Sequence, residues 1–288
     1  MKKFSFLMAA IIALLSVSCD KAEEAEDTTL VPVNVHINDF TISMGEFGTR
    51  AEKSAADYAN MKMITLAFYS GETEIYKTTQ SRGDNSTFGQ FSFMLPMGSY
   101  TMVVLGYGHS EDDALELTSP TLAAYTGAHA RETFAYTQEV NITGTAAVSL
   151  NATLDRVVSK LVIESTDGKT DNAVSVRTAF SAGGKSFSPS TGLATGNAGL
   201  VNTVFISKQT GEATSTTSYL FLASDKQDID VTIDVLDADG KSVSHKEVKG
   251  VPMQRNKVVT LRGSLYSAAA TSSFQVNEDW LPAESILF

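Results

Sequence analysis

The sequence predicts an all-β protein built from sandwiches of short strands. Apolar and polar residues alternate in most patterned segments, as in VPVNVHI at 31–37 and DIDVTIDVL at 228–236, and a period of two is typical of half-buried strands. Turn-forming pairs such as Asp239-Gly240 separate these segments, because glycine tolerates the backbone angles of a tight hairpin. No segment has a sustained helical period. Many short strands joined by turns indicate a β-sandwich.

The first 18 residues have the composition of a secretory signal. Two lysines follow the initial methionine, and residues 4–17 are almost wholly apolar. This apolar run of 14 residues is too short for a membrane-spanning helix, which needs ~20 residues. Small residues then precede Cys19, as they do at a cleavage site. We therefore expect residues 1–18 to be a signal peptide.

Cys19 is the only cysteine in the chain, so it has no partner for an intramolecular disulfide. Because it directly follows Leu-Ser-Val-Ser, the segment resembles the lipobox of bacterial lipoproteins. That resemblance implies that the Cys19 thiol carries fatty acid such as palmitate and becomes the N-terminus of an outer-membrane lipoprotein. Acyl chains contribute about 0.8 kcal/mol per buried CH₂, so several of them anchor a protein stably. The alternative is an unmodified cysteine in an ordinary signal peptide.

Residues 19–29 form an acidic tether. Five acids and Lys21 lie among alanines and threonines, with little apolar surface to bury, so this segment is expected to be disordered. It resembles the surface-export tether of Bacteroidetes lipoproteins, in which a lysine and then acids follow the lipidated cysteine. The alternative is a solvated spacer.

The charge of the chain argues against nucleic acid as a partner. The full sequence has a net charge of −11, and loss of residues 1–18 removes two lysines and no acid, which gives −13. Nucleic-acid binding needs a basic surface. An acidic chain instead suits a protein on the cell surface, where its charge keeps it apart from anionic neighbours.

The strand pattern restarts near residue 153, where LDRVVSKLVIES follows the strand AAVSL. We therefore predict an N-terminal sandwich at 30–153 and a C-terminal sandwich at 154–288, each of a usual size for one core. The weakly patterned stretches 106–132 and 181–216 are expected to be long loops. Residues 51–61 and 111–117 are expected to form short helical turns.

No pattern in the sequence indicates an enzyme, a metal site or a cofactor. The four histidines lie far apart, at His36, His109, His129 and His245. No motif with metal-ligand spacing, nucleophile elbow or phosphate-binding loop is present.

Arg82-Gly83-Asp84 is the tripeptide that integrin ligands carry. Here it precedes a Phe-rich strand, and a turn is the favoured interpretation.

Three segments resemble the Bacteroidetes fimbrillins, the Mfa-like lipoprotein subunits of the type V pilus. VPMQRNKVVTLRGSLY at 251–266 is similar to their penultimate strand region, and SSFQVNEDW at 272–280 to their last strand. LDRVVSKLVIE at 154–164 is similar to the opening of their second domain. With the lipobox, the resemblance extends over both halves of the chain, and it lies in the order and spacing of these segments.

The resemblance implies two transthyretin-like β-sandwich domains and assembly by strand donation. In this family an Arg-specific protease removes the tether with the first strand, and the vacated groove accepts a strand from the next subunit. Arg50-Ala51 follows the first strand segment, 31–43, in what the flanking glycines predict is an accessible loop. The removable strand would bury four side chains. These are Val31, Val33, Val35 and Ile37.

The partners implied are other fimbrial subunits, outer-membrane lipid through acylated Cys19, and a host or bacterial surface receptor. Only eight residues follow Trp280, which is short for a donor segment and leaves stalk, tip and anchor roles open. Arg50 is alternatively an ordinary loop residue, in an uncleaved anchor or tip subunit. A protein of another class, a monomeric glycan-binding surface lipoprotein, is the further alternative.

Overall fold

The computed structural model describes residues 29–44, 49–53, 58–110, 112–267 and 275–277. These residues form 19 strands and no helix, so the all-β prediction is confirmed. Among these residues there is accordingly no helix with the length and apolar character to span a membrane. The strands are β1 (Leu30–Met44), β2 (Thr49–Lys53), β3 (Met63–Ser70), β4 (Thr73–Ser81), β5 (Gln90–Pro96), β6 (Gly98–Tyr107), β7 (Leu115–Ser119), β8 (Leu122–Tyr125), β9 (Thr133–Ile142), β10 (Val148–Arg156), β11 (Ser159–Ser165), β12 (Ser175–Phe180), β13 (Ser186–Phe187), β14 (Leu200–Phe205), β15 (Ser215–Leu220), β16 (Lys226–Leu236), β17 (Ser242–Gln254), β18 (Val258–Gly263) and β19 (Gln275–Asn277).

The N-terminal half of the fold, β1–β10, contains a sandwich of two layers. One layer has the order β4-β3-β6-β9, and the other contains β5, β1 and β10. The layers join where the end of β10 pairs with β9 at Asp155 and Arg156. Apolar residues of both layers form one buried cluster, which includes Val33 of β1 and Leu66 of β3.

Strands β3 and β6 are buried on both faces. Along β3, Ile64, Leu66 and Phe68 belong to the core of the N-terminal sandwich, whereas Ala67 and Tyr69 belong to a separate buried cluster. The same division holds along β6. A strand that is buried on both faces has a nearly continuous apolar sequence, which is why these two segments do not alternate.

The C-terminal half, β11–β19, has two four-stranded layers with the orders β15-β11-β18-β19 and β14-β12-β16-β17. The alternating side chains of β16 that were predicted to point inward, from Ile229 to Val235, are at most 1% exposed. They pack with residues of β11 and β18 in one cluster. On the opposite face of β16, Asp234 is covered by Arg177 and His245.

The two halves repeat one arrangement of strands. The first strand of each half runs parallel to a late strand, β1 beside β10 and β11 beside β18. Each first strand also has an antiparallel neighbour, β5 for β1 and β15 for β11. In the C-terminal half, β19 adds a further strand to β18.

A third sheet and a third cluster connect the halves. Strand β13, from the C-terminal half, pairs with β8 of the hairpin β7-β8. The rings of Phe187 and Phe221 stack at 4.2 Å between centroids and pack with Tyr125. Val157 and Val158, which connect β10 to β11, lie in the same cluster. The halves therefore share a buried apolar contact.

Several local expectations were wrong. Residues 51–53 belong to β2 and residues 115–117 to β7, where helical turns were expected. The stretches 106–132 and 181–216 contain β7, β8, β13 and β14 rather than continuous loops. The boundary predicted near 153 falls within β10, which runs to Arg156. The division into two domains stays a prediction.

Candidate functional site

The position of β1 between two other strands defines the candidate site. Leu30–His36 pair antiparallel with β5, and Val33–Thr41 pair parallel with β10. Val33–His36 are thus paired along both edges, as in an interior strand. Without β1, both β5 and β10 would present unpaired N–H and C=O groups, and such edges accept other strands.

The inward side chains of β1 are fully buried. Val31, Val33 and Val35 are 0% exposed and Ile37 is 5% exposed. All four belong to the core cluster of the N-terminal sandwich. Burial of side chains of this size stabilises a fold by roughly 1.5–3 kcal/mol each. The segment is therefore an integral part of this core.

Apolar side chains from three neighbouring strands form the groove that holds β1. Phe91 and Leu95 of β5 and Leu154 of β10 are buried in the same cluster. Phe93, opposite Val33, stacks on Tyr76 of β4 with ring centroids 4.2 Å apart. An apolar groove with a paired edge on each side has the shape and chemistry to hold an extended strand.

Polar contacts fix the position of β1 along the groove. The side-chain oxygen Oδ1 of Asn34 accepts a hydrogen bond from Ser92 Oγ at 2.7 Å. The backbone N–H of Ile37 donates to the carbonyl oxygen of Gly89 at 2.9 Å. Since a shift of one residue would turn the valines outward, these contacts and the apolar alternation specify the same register.

Arg50 and Ala51 lie in a strand, which corrects the prediction of an accessible loop. They belong to β2, where Arg50 pairs with Ser43 and Ala51 with Ile42. Strand β2 is the last strand of its sheet. The flanking glycines suggested a loop, but the hydrogen bonds to β1 extend the backbone. A protease would therefore meet this bond in an edge strand.

Other sequence predictions fall outside the described residues. These are the signal peptide, Cys19 and most of the acidic tether at the N-terminus, and Trp280 at the C-terminus. Of the segment 272–280, only β19 is described, and it pairs antiparallel with β18.

The Arg-Gly-Asp tripeptide is part of a turn. The Arg82 Nε and Nη2 groups donate to the carbonyl oxygens of Met61 and Tyr58, each at 2.6 Å. Its guanidinium also lies 4.5 Å from the centroid of the Phe88 ring. These contacts hold the Arg82 side chain against the protein and give it a structural role.

A buried polar cluster, which the sequence did not predict, lies where the halves meet. Glu132 accepts a hydrogen bond from the Tyr58 hydroxyl at 2.8 Å and forms an ion pair with Arg156 at 2.7 Å. Burial, and then the charge of Glu132, raises the pKa of Tyr58 to about 12. The only sequence signal for this cluster was the arginine in LDRVVSKLVIE, since its partners lie far away in the chain.

Among the described residues, no group of three or more His, Cys, Asp or Glu side chains is arranged to hold a metal ion.

The described residues form an all-β fold that encloses β1 between β5 and β10. The chain belongs to the family described as a family of unknown function (DUF6562), whose model matches residues 27–284. No curated protein matches the sequence.

Solved structures share the fold at low sequence identity. A candidate adhesin from Bacteroides ovatus aligns with a TM-score of 0.57 and 11% identity, covering 88% of this chain and 97% of that one. A candidate adhesin from Bacteroides thetaiotaomicron aligns with a TM-score of 0.52 and 10% identity, covering 88% and 98%. The tip fimbrial protein Mfa3 from Porphyromonas gingivalis, with a C-terminal truncation, covers 88% and 99% at 11% identity. Its TM-score of 0.40 is too low to establish a shared fold.

Proposed function

We propose that the protein is a fimbrillin-like subunit of a surface fimbrium, which polymerises when β1 is exchanged for a strand of the next subunit. The observation that carries this proposal is that β1 is paired along both edges while four of its side chains are buried. Two solved structures with the same fold are described as candidate adhesins, which supports a role in adhesion or colonisation.

Removal of β1 creates a strong tendency to take up another strand. The vacated groove would expose apolar side chains such as Phe91 and Leu154 to water, and would leave two strand edges unpaired. Both are unfavourable. A donated strand with alternating apolar residues would restore the buried surface and the hydrogen bonds together. Cleavage after Arg50 would thus convert a stored monomer into a polymerising subunit.

The sequence supplies the remaining parts of the proposal. Acylated Cys19 would hold the precursor in the outer membrane, and the acidic tether would direct it to the cell surface. Cleavage between Arg50 and Ala51 would separate the anchor, the tether and β1 covalently from the rest of the chain in one step.

The second candidate is an anchor or tip subunit that keeps β1 and its lipid. The pairing of Arg50 with Ser43 favours this role, because proteases cut accessible loops more readily than paired strands. For cleavage to occur, β2 must first separate from β1. The two roles differ in one observable, the N-terminus of the protein within fibres.

The Arg50→Ala variant tests the proposal. The folded monomer should form normally, because Arg50 lies on an edge strand, but the variant should stay lipidated and monomeric. Fibres of the wild-type protein should resist boiling in detergent and run as a ladder on a gel. Their N-terminal sequence should be Ala51-Glu52-Lys53-Ser54. Lys53→Ala is the matched control, since it removes a basic residue from the same strand and should polymerise normally.

Two results would reject the stalk mechanism for this chain. One is normal polymerisation of the Arg50→Ala variant. The other is the presence of Val31–Ser43 in mature fibres, which would identify the protein as an anchor or tip subunit.

A further inference from the structure

A cleft of about 770 Å³ lies between the two halves of the fold. One side consists of N-terminal residues around Lys62, His109 and 129–132. The other side consists of β11 and β15, with β14 along the margin. The volume is within the usual range for small-molecule sites. None of the residues that line the cleft belongs to β1, β5 or β10, so it is separate from the groove of the proposed strand exchange.

Lys160 of β11 places a buried positive charge in this cleft. The residue is 7% exposed, and among the described residues its Nζ forms no hydrogen bond or ion pair. The centroid of the Tyr219 ring lies 5.9 Å from Nζ. Burial lowers the pKa of Lys160 to about 8, so the amine is still mainly protonated at neutral pH. The charge of Glu132 partly offsets this effect of burial, but that carboxylate is already bonded to Arg156 and Tyr58. An anion bound directly to Nζ would further relieve the cost of burying the ammonium.

Except for the exposed Lys62, the neighbouring charged side chains of the cleft have partners. Arg131 and His129 both contact the carboxylate of Asp113. The carboxylate of Glu132 is paired with Arg156, and that of Glu164 lies 4.0 Å from Arg262. The lining thus holds two ammonium groups that form no ion pair among the described residues, the buried one of Lys160 and the exposed one of Lys62, beside two carboxylates. This balance suits a singly charged anion better than a dianion such as phosphate.

The remaining lining suits a sugar. Phe205, at the margin of the cleft, is 79% exposed, the highest value among the large apolar side chains of the described residues. Aromatic rings exposed beside polar groups pack against the C–H face of sugars. Hydroxyl-bearing residues 215–218 of β15 line the cleft. Asn202 lines it as well, and its Oδ1 has no hydrogen-bond donor among the described residues.

We propose that this cleft binds a saccharide that carries a carboxylate group. Lys160 pairs with the carboxylate, Phe205 covers one face of a sugar ring, and the hydroxyl and amide groups of β14 and β15 bond to sugar hydroxyls. The site gives the protein a glycan-recognition activity that does not depend on polymerisation. It would operate in the monomer as well as in a fibre.

Calorimetric titration of the soluble protein tests this proposal. The probes are a galacturonate tetrasaccharide and sialyllactose, each compared with the same saccharide after methyl esterification of its carboxylates. We expect at least one acidic probe to bind at least tenfold more tightly than its ester. Loss of a charge-assisted hydrogen bond corresponds to roughly a 10- to 100-fold change in affinity.

Two variants, each with a matched control, locate the site. Lys160→Met should reduce affinity roughly tenfold or more, whereas Lys241→Met, which removes an equal charge from a distant hairpin, should not change it. The Lys160→Met protein should fold, because it replaces an unpaired buried charge by an apolar chain. Phe205→Ala should also weaken binding, whereas Val201→Ala, an exposed residue of the same strand, should not.

Three outcomes would overturn the proposal. The first is the absence of binding of both acidic probes. The second is equal binding of the methyl esters, or tighter binding of inorganic phosphate, which would exclude the carboxylate class. The third is unchanged affinity in both Lys160→Met and Phe205→Ala, which would place the saccharide elsewhere on the protein.

Discussion

Asn256 shows how two of the sequence motifs come together in space. Its backbone has a φ of 58°, and its N–H donates to the carbonyl oxygen of Val158 at 2.9 Å. Its Oδ1 accepts a hydrogen bond from Arg156 Nη1 at 3.1 Å. The arginine of LDRVVSK and the asparagine of MQRNK thus form one contact at the start of the C-terminal half.

Asn256→Ala should destabilise the protein. A left-handed backbone costs an ordinary residue about 1–2 kcal/mol, and the variant also loses the acceptor for Arg156. Asn256→Gly is the matched control, because glycine tolerates this backbone and loses only the side-chain bond. In urea unfolding, the wild-type protein should be the most stable, the Asn256→Gly variant less stable and the Asn256→Ala variant the least stable. Equal stability of the Gly and Ala variants would show that the left-handed backbone is not the cause.

At the scale of elements, β1 has the full set of contacts of an interior strand. Its backbone is paired on both edges, and its side chains contribute to a core formed mainly by other strands. The strand is connected to the rest of the fold only through β2 and the residues that follow. A cut between Arg50 and Ala51 would therefore make β1 a separate peptide that is held by non-covalent contacts alone.

A chain that begins at Ala51 should be stabilised by a synthetic peptide of residues 29–44. Thermal unfolding with added peptide should show a higher midpoint, because the peptide refills the groove. A Val33→Asp peptide should fail, since it would bury an unpaired carboxylate. An Asn34→Asp peptide should still work, because residue 34 is only half-buried and faces Ser92. Equal effects of the two altered peptides would mean that the peptide does not occupy the groove.

At the scale of the whole molecule, acidic side chains with hydrogen-bonded partners lie in both halves. Burial alone would raise the pKa of Asp113, Asp167 and Asp234, but their hydrogen-bond donors outweigh burial and lower it below 3.8. The donors include the backbone N–H of residues 265–267 for Asp167. The hydrogen bond to Asp234, opposed in part by desolvation, raises the pKa of His245 above 6.5.

Stability should therefore be highest between about pH 5 and 6. Carboxylates with a lowered pKa stabilise the fold above pH 3.8. This contribution is lost as the pH falls through the pKa values that these groups have in the folded protein. Protonated His245 stabilises the fold below pH 6.5, and this smaller contribution is lost as the pH rises through its folded value. Midpoints of urea unfolding, measured from pH 3 to 8, test this predicted pH dependence.

His245→Asn should remove the decline between pH 6 and 8. It should also reduce the part of the acid loss that comes from Asp234, because His245 helps to lower the pKa of that carboxyl, and leave the parts from Asp113 and Asp167 unchanged. A midpoint that stays constant down to pH 3 would contradict the proposed contribution of the three aspartates.

The sequence predicts those parts of the fold whose pattern is local. Val31–Ile37 and the segment around Ile233 alternate because each is a strand with one face in a core. Strands β8 and β13 were missed because their pairing, Ala123 with Phe187, depends on residues far apart in the chain. For the same reason, no local sequence pattern predicted that Lys160, Tyr219 and Phe205 line one cleft. Phe205 in particular has the sequence context of a core residue, yet it is exposed.

The direction of β1 has a consequence for any assembly that uses its groove. Because β1 runs parallel to β10 and antiparallel to β5, a strand that reproduces both pairings can enter in one direction only. Under strand exchange, every subunit would then point the same way along the filament, and the contact between neighbours would not close into a pair. Such a filament has polarity, with two chemically different ends. A subunit that retains its own β1 would terminate growth at the end that displays the open groove.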